Sequence, residues 1–249
     1  MGLLNKLGIG IGSGLNRDSA RTLPPSNRPR TPGTAIPATG APRAPEAPAT
    51  TRLSNGLKEF LWNLDGLGRG TLLDMGPAWQ TTLSFFIERG FRVSSEDILR
   101  GWKAFLDEDE ARLRSGAVDH DLLDMTPAGR ASRFLSANLE YPASSFDAVL
   151  LWDLLDYLEP TLAKQMVVQL TELLRPGGIV LAMFHSKKPE GFQRYRVADS
   201  NTLQVISTAV LCPAQKVYQN REIQDLFGRY RTMKSFVGRD QLRESLFIK

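Results

Sequence analysis

The stretch Phe146-Asp-Ala-Val-Leu-Leu-Trp152 is apolar at nearly every position. A strand of this composition is buried on both faces, as the strands of parallel sheets are. Similar apolar runs occur at 71–75 and 179–184, and a helical pattern over 161–174 separates the central run from the later one. Strands that alternate with helices in this way predict an α/β fold with a parallel sheet and right-handed crossovers.

The rest of the chain from residue 53 onward continues this alternation. Ser54 can cap a first helix, whose apolar residues recur at helical spacing from Leu57 to Leu64. The sequence predicts strands at 71–75, 91–94, 133–136, 146–152, 179–184, 232–237 and 244–248. It predicts helices at 57–64, 81–89, 98–114, 161–174 and 220–227. Ligands of such open sheets bind beyond the carboxyl ends of the strands, which is where we expect the site.

The N-terminal residues have a different composition. Eight of the fifteen prolines fall between Pro24 and Pro48, among Thr, Ala, Gly and Arg. Such a stretch cannot bury enough apolar surface to offset its chain entropy. We therefore expect a disordered tail over 1–52 and one domain over 53–249. For the Gly- and Leu-rich start of the tail, a short peptide that binds a membrane surface or a partner is the alternative.

The basic character of the chain belongs to this tail. The whole chain has a net charge of +4, and residues 1–52 hold seven basic and two acidic side chains, so residues 53–249 sum to −1. A domain without a positive field has little to attract phosphates, which argues against a nucleic-acid partner. A small molecule and a protein side chain both stay open as substrates, and the oligomeric state stays open too.

Composition also limits the cellular setting and the chemistry. Cys212 is the single cysteine, so no internal disulfide and no cysteine-based zinc cluster can form. The apolar runs are shorter than the roughly 18 to 20 residues of a transmembrane helix. We expect a cytoplasmic protein without a bound metal.

Small and acidic residues follow the first two predicted strands. Asp74 and Gly76 come at the end of the first, and a glycine there lets the backbone approach a ligand closely. Glu96 lies 22 positions after Asp74, near the roughly 20-residue offset at which dinucleotide-type folds place an acid for ribose hydroxyls. Asp97 is its close competitor, and one of the two acids is expected to cap the next helix.

Two longer motifs surround the central and the following strands. The first runs Ala137-Asn-Leu-Glu-Tyr-Pro before the central strand and continues as Asp153-Leu-Leu-Asp-Tyr-Leu158 after it. The second, Leu173-Leu-Arg-Pro-Gly-Gly-Ile-Val-Leu181, joins a helix to a strand. Together with Asp74 and Gly76, these segments resemble class I S-adenosylmethionine-dependent methyltransferases over about 57–249.

The resemblance implies a Rossmann-like, doubly wound, mostly parallel seven-stranded sheet with an antiparallel last strand. The sequence departs from the family pattern at the turn after the first predicted strand, where Ala78 and Gln80 occupy the positions of two further glycines. Ala78 is a mild change, whereas we expect Gln80 to narrow the site.

The same resemblance implies S-adenosyl-L-methionine as the cofactor. Asp74 would orient its amino-acid part, Asn138 would bind the adenine amino group, and Leu139 would pack on the ring. Trp152 would face the sulfonium, with core packing as an equal alternative. The cofactor-binding residues expected in this way are Asp74, Gly76, Ala78, Glu96, Asp97, Asn138, Leu139 and Trp152.

The family's chemistry does not require a catalytic side chain, because the methyl group of the cofactor is already electrophilic. His185, just after a strand, is a weak candidate for a general base. The stretch from His185 to Val217, which contains Tyr195 and Arg196, is the expected substrate-side insertion. For Asp147 we expect a structural role.

Three functions are consistent with the sequence to different degrees. Methyl transfer to an unidentified substrate agrees best with Glu96 and Asn138. A catalytically inactive methyltransferase-like binding or scaffold domain is favoured by Pro77, Ala78 and Gln80. A nicotinamide-dependent oxidoreductase is the weakest, because the first turn lacks the GxGxxG pattern.

Overall fold

The computed structural model describes residues 49–115 and 124–249. The predicted tail therefore lies outside the described residues except for 49–52, and so does the connector that contains His120. Residues 49–52 belong to a strand, so they are part of the ordered structure and not of a disordered tail. The described residues all belong to one compact unit.

The elements alternate along the chain much as the apolar pattern predicts. A short 3-10 helix, Leu154–Tyr157, lies between the fourth strand and the fifth helix. In chain order the other elements are β1 (Ala49–Leu53), α1 (Asn55–Leu64), β2 (Gly70–Asp74), α2 (Gln80–Ile87), β3 (Phe91–Ser95), α3 (Ile98–Ser115), α4 (Pro127–Asn138), β4 (Phe146–Trp152), α5 (Pro160–Leu173), β5 (Leu174–His185), β6 (Phe192–Val197), β7 (Thr202–Thr208), α6 (Asn220–Leu226), β8 (Thr232–Val237) and β9 (Leu242–Ile248).

The central sheet has the strand order β3-β2-β4-β5-β9-β8. Strands β3, β2, β4 and β5 pair in parallel, and β9 pairs antiparallel with both β5 and β8. This confirms the predicted α/β class, with a mostly parallel sheet and an antiparallel last strand. The carboxyl ends of β2, β3, β4 and β5 consequently meet at one edge of the sheet.

The sheet differs from the prediction in one strand. Within the described residues it has six strands instead of seven, because residues 133–136 lie inside α4. Thr126 caps this helix by accepting a hydrogen bond from the Gly129 amide, and Pro127 occupies its first position. Ala131, Phe134 and Leu135 are buried at helical spacing. The Phe-Leu pair that suggested a strand is therefore the buried face of a helix.

A second, antiparallel sheet of order β1-β7-β6 was not predicted. Its strand β1 pairs with β7 along its full length, and β7 pairs with β6. Arg52 in β1 forms ion pairs with Asp240 and with the buried Glu244 of β9, which tie this sheet to the central one. Strand β6 lies over the carboxyl edge of the central sheet, as the contact of Tyr195 with Trp152 shows.

Apolar side chains cover both faces of the central sheet. On one face, alternate residues of β2, β4 and β5 pack with α3, α4, α5 and α6. On the other, the intervening residues of these strands pack with α1, α2, β6 and β7. Neighbours such as Leu72 and Leu73 point to opposite faces, as the pleat of a strand requires. Burial on both faces explains why these strands are apolar throughout.

Candidate functional site

Asp74 lies at the carboxyl end of β2 and is completely buried, with 0% of its surface exposed. Its Oδ1 accepts hydrogen bonds from the Gly76 amide at 3.0 Å and from the indole Nε1 of Trp152 at 2.7 Å. Its Oδ2 is buried and has no hydrogen-bond partner among the described residues. Burial raises the pKa of Asp74 to about 6, although the bonds from Trp152 and Gly76 lower it.

Trp152 fills the space beside Gly76. A Cβ atom at position 76 would lie 2.9 Å from the indole, so the close approach that glycine allows is used by this side chain. Tyr195 of β6 stacks on the indole, with ring centroids 6.1 Å apart. Trp152 has a φ of +52°, in the left-handed region that non-glycine residues seldom adopt. Trp152 is thus both a core residue and a hydrogen-bond donor to Asp74.

Glu96 follows the end of β3, and its amide donates to the Asp74 carbonyl oxygen at 2.8 Å. Its carboxylate Oε1 accepts a hydrogen bond of 2.5 Å from the hydroxyl of Tyr141. Burial, together with this bond, raises the pKa of Tyr141 to about 12. The carboxylate therefore already binds a hydroxyl group at the place where the sequence predicts a ribose contact.

Asp97 is the residue that caps α3. Its Oδ1 accepts from the Arg100 amide at 3.4 Å, in the geometry of a long N-cap bond. The same oxygen accepts from Nη2 of Arg194 at 3.0 Å, so the cap is also joined to β6. This assigns the capping role to Asp97 and leaves Glu96 as the neighbouring acid with its carboxylate on Tyr141.

The remaining residues expected to bind a cofactor lie on the loop before α2 and at the end of α4. Ala78 is exposed in the loop before α2, and Gln80 donates to Ser84 along the exposed face of that helix, so Gln80 does not narrow the site. Asn138 is the last residue of α4, and its side-chain amide donates to the Phe134 carbonyl oxygen at 2.9 Å. Leu139 is 1% exposed and packs in the hydrophobic core.

A second group of ionisable side chains lies at the ends of β4 and β5. Asp156 Oδ2 accepts from the backbone amide of His185 at 2.7 Å and lies 2.9 Å from its Nδ1. The other ring nitrogen, Nε2, is 3.8 Å from Oδ2 of Asp153, which is longer than a hydrogen bond. Asp153 and Asp156 are both buried, and the imidazole is held between them.

The protonation of this group follows from its burial. Burial is the main cause that raises the pKa of Asp153 to about 7, against the charge of His185, which lowers it, and together with the charge of Asp156. For His185, burial lowers the pKa, but the hydrogen bond to Asp156 and the charge of Asp153 outweigh it, so the net shift is upward. Burial also raises the pKa of Asp156. Ionisable groups whose pKa values are raised are therefore concentrated at this edge.

Several polar atoms at this edge are buried and, within the part of the chain that the structure describes, have no hydrogen-bond partner. They are Asp74 Oδ2, Asp153 Oδ2, Asp156 Oδ1, the Tyr157 hydroxyl and the Tyr195 hydroxyl. Buried polar groups in folded proteins are nearly always paired, and a cluster of exceptions calls for a partner. Such a cluster at the carboxyl edge of an open α/β sheet is where a polar ligand is expected.

Sequence reasoning missed Arg194, Asp156 and Tyr141. Arg194 is buried in β6, pairs with Asp97 and lies near enough to Asp74 to act on its charge. A charged residue in the alternating stretch Phe192-Gln-Arg-Tyr-Arg-Val197 is the only signal that could have pointed to it. Asp156 lies in the quoted motif after β4, but its partner His185 is 29 residues away.

The contacts also test the role expected of Asp147. Asp147 accepts from Arg175 and from the Thr71 amide at the opposite end of the strands, which confirms its structural role. In 49–115 and 124–249, no group of three or more His, Cys, Asp or Glu residues is arranged to hold a metal ion. Among these same residues, no helix combines the length and apolar character needed to cross a membrane.

No protein-family model matches the chain, and no curated protein matches it either. Solved structures do. Several of those similar to this chain are S-adenosylmethionine-dependent methyltransferases. Their TM-scores are below 0.5 and their sequence identities below 25%.

Three of these structures show the sequence identity and the coverage of such matches. The 1,6-didemethyltoxoflavin-N1-methyltransferase of Burkholderia thailandensis, solved with S-adenosylhomocysteine, is 16% identical, covers 79% of both chains and has a TM-score of 0.39. A methyltransferase of Methanosarcina mazei is 15% identical over 73% of this chain and 93% of its own, with a TM-score of 0.37. A methyltransferase of Mesorhizobium loti is 13% identical over 77% of this chain and 96% of its own, with a TM-score of 0.43.

Proposed function

We propose that the domain binds S-adenosylmethionine at the carboxyl ends of β2, β3 and β4 and transfers its methyl group to an acceptor bound beside it. The observation that carries this proposal is the cluster of buried polar atoms, led by Asp74 Oδ2, without partners in the described residues. Leaving one such atom unpaired costs about 1 to 3 kcal/mol. A polar ligand at this edge would offset that cost at several atoms at once.

Asp74 fits the ammonium group of such a cofactor. Burial raises the pKa of Asp74 to about 6 because it disfavours the charged form, and an adjacent cation would lower that pKa and stabilise the carboxylate. The ammonium would donate to Oδ2, the oxygen that neither Gly76 nor Trp152 binds. Asp74 would thereby orient the amino-acid part of the cofactor.

Glu96 fits the ribose hydroxyls. It already accepts a hydrogen bond from the hydroxyl of Tyr141, which is the kind of bond that a ribose hydroxyl would donate. Tyr141 and the ribose would then compete for the same carboxylate. Glu96 and Asp74 are joined by the backbone bond between them, so one ligand can contact both.

The chain's own contribution to catalysis is binding, orientation and the exclusion of water. S-adenosylmethionine supplies an electrophilic methyl group on a sulfonium, so the protein needs to align the acceptor with it. Trp152 and Tyr195 cover the carboxyl edge of the sheet and would exclude water from it. Because Trp152 lies against Gly76, we infer that it moves aside when the cofactor binds. With a single cysteine the chain suits a reducing compartment such as the cytoplasm.

A specific observation favours a second candidate, a binding or scaffold domain without activity. Trp152 occupies the space at Gly76, and Tyr141 occupies the carboxylate of Glu96. In that case these side chains replace the cofactor permanently, and the polar cluster is paired by water.

Calorimetric titration of the full chain with S-adenosylhomocysteine distinguishes methyl transfer from the inactive binding or scaffold domain. Methyl transfer predicts a micromolar dissociation constant, on the order of 7 to 8 kcal/mol of binding free energy. Asp107→Asn is the matched control, because it removes an exposed carboxylate of α3 and should leave the affinity unchanged. Absence of binding at millimolar ligand would favour the scaffold domain.

A further inference from the structure

His185 lies at the carboxyl end of β5 and lines a cavity of about 250 Å³. The other walls of this cavity come from the loop at 187–191 and from Asp240 and Gln241 in the turn between β8 and β9. The cavity adjoins the polar cluster, because the same imidazole contacts Asp153 and Asp156. It is thus a place where a second small ligand can contact the edge that we assign to the cofactor.

Asp156 fixes the orientation of the imidazole. Its Oδ2 faces both the backbone amide and the Nδ1 atom of His185, and a carboxylate oxygen accepts hydrogen bonds. The tautomer with the proton on Nδ1 therefore fits this contact, which leaves Nε2 with a free electron pair when the ring is neutral. Since Asp153 is 3.8 Å away, it does not hydrogen-bond Nε2, and this nitrogen can still accept a hydrogen bond from a ligand.

Building on the methyl transfer proposed above, we propose that this cavity binds the acceptor and that the acceptor is a weakly acidic hydroxyl compound. His185 takes the hydroxyl proton, and Asp156 is its positioning residue. A base oriented by a third group in this way is the common arrangement for activating an oxygen nucleophile. The oxygen forms the new bond to the methyl carbon, the methyl–sulfur bond breaks with its electrons left on sulfur, and the proton goes to Nε2.

The chemistry of acceptors explains why a hydroxyl is favoured. A carboxylate carries no proton at neutral pH, and a thiol with a pKa of about 8.5 ionises readily without help. A phenol-type hydroxyl, with a pKa of about 10, keeps its proton and gains more from a nearby base than either of these groups. General base catalysis of this kind contributes about 10²- to 10⁴-fold to a rate.

Other charges face His185 from every element around it. Asp153 and Asp156 come from the segment after β4, Tyr157 packs edge-on against the ring, and Asp240 faces it from the turn before β9. Lys187 and Lys188 line the cavity, and Arg243 acts on the charge of Asp156. The acids are the closest of these groups, so the imidazolium is favoured and the base becomes free only as the pH rises.

Proton NMR can follow this imidazole directly, because the chain has two histidines and His120→Gln assigns the signals. In the full chain saturated with S-adenosylhomocysteine, we expect His185 to titrate above its ordinary value of 6.5, and Asp156→Asn to lower that midpoint. Phenol should shift the His185 signal, and anisole, which lacks the proton, should shift it less. Equal shifts, or none, would overturn the proposal.

Transfer to a matched series on one ring, phenol, benzylamine, thiophenol and benzoate, tests the acceptor class. We expect methylation of phenol at a rate that rises as His185 loses its proton. His185→Gln should lower that rate at least 100-fold without changing the affinity for S-adenosylhomocysteine. Asp156→Asn should lower the rate at least tenfold and move the midpoint of its pH profile downward, and His120→Gln should change neither.

The outcomes separate the two proposals. If S-adenosylhomocysteine binds but phenol is not methylated, or another member of the series is preferred, the inference about His185 fails and the proposed function stands. A rate that His185→Gln leaves unchanged overturns it in the same way. If S-adenosylhomocysteine does not bind, the proposed function itself fails.

Discussion

The indole Nε1 of Trp152 donates a hydrogen bond of 2.7 Å to Oδ1 of Asp74. This bond joins the carboxyl ends of two neighbouring strands, β4 and β2, inside the buried edge of the sheet. It also holds the indole in the space that Gly76 leaves open. The stability of the fold and the access of a ligand to Asp74 therefore depend on the same side chain.

Replacing Trp152 by Phe should destabilise the domain, because it removes this hydrogen bond while keeping an aromatic ring. We expect a loss of about 1 to 3 kcal/mol in the free energy of unfolding, measured by denaturant titration. Trp62→Phe is the control, since Trp62 is 75% exposed on α1 and its change should stay within about 0.5 kcal/mol. Equal stability of the two variants would contradict the role given to Trp152.

Asp74→Asn should change the pH dependence of stability. The pKa of Asp74 is raised from 3.8 to about 6, so its contribution to stability is fully present below about pH 3.8 and is lost as the pH rises through 6. The shift of about two units corresponds to about 3 kcal/mol. The asparagine variant should thus be more stable than the wild type at pH 8 and similar to it at pH 4, in thermal melts at both values.

The same variant should bind S-adenosylhomocysteine poorly, because an amide cannot form an ion pair with an ammonium. If Asp74→Asn raises the stability of the protein and abolishes binding of S-adenosylhomocysteine, the carboxylate serves ligand binding and not folding. If Asp74→Asn destabilises the protein more at pH 8 than at pH 4, the carboxylate is ionised and already well paired in the free protein.

Replacing Glu96 or Asp97 by alanine should have different effects on ligand affinity and on stability. Glu96→Ala should lower the affinity for S-adenosylhomocysteine at least tenfold with little effect on stability, because up to two charge-assisted hydrogen bonds to ribose are lost. Asp97→Ala should cost at least about 1 kcal/mol of stability, because it removes the cap of α3 and also the ion-pair partner of the buried Arg194. Titration and thermal melting of both variants measure the difference.

Tyr141→Phe provides the matched test at this position. It keeps Glu96 and removes the hydroxyl that binds it, so the affinity for S-adenosylhomocysteine should rise. An unchanged affinity in both Glu96→Ala and Tyr141→Phe would show that this carboxylate does not contact the ligand.

Arg52→Met should weaken the attachment of the second sheet. Its partner Glu244 is buried and would lose one of its two hydrogen-bonded neighbours, keeping the Gly56 amide. Removing one partner of a buried ion pair costs about 3 kcal/mol. Arg112→Met, which removes an exposed pair on α3, is the control and should leave the melting temperature unchanged. A similar melting temperature for both variants would show that β1 is not held by this pair.

The sequence by itself determined the strands of the central sheet and most of the helices that alternate with them. Ser54 caps α1 as predicted, accepting from the Leu57 amide, and Gly90 follows α2 with a φ of +86°. The central strand is found at the predicted residues. These signals are local: a cap, a turn or an apolar run acts over a few neighbouring residues, so it can be recognised without knowing the fold.

Only the tertiary structure decided which side chains meet. Residues 133–136 are helical because their apolar side chains pack within α4, and short apolar runs do not distinguish a helix from a strand. Trp152 and Asp74 are 78 residues apart, and Arg194 and Asp97 are 97 apart. A contact over such a distance depends on how strands and loops are brought together, and no spacing in the chain encodes it.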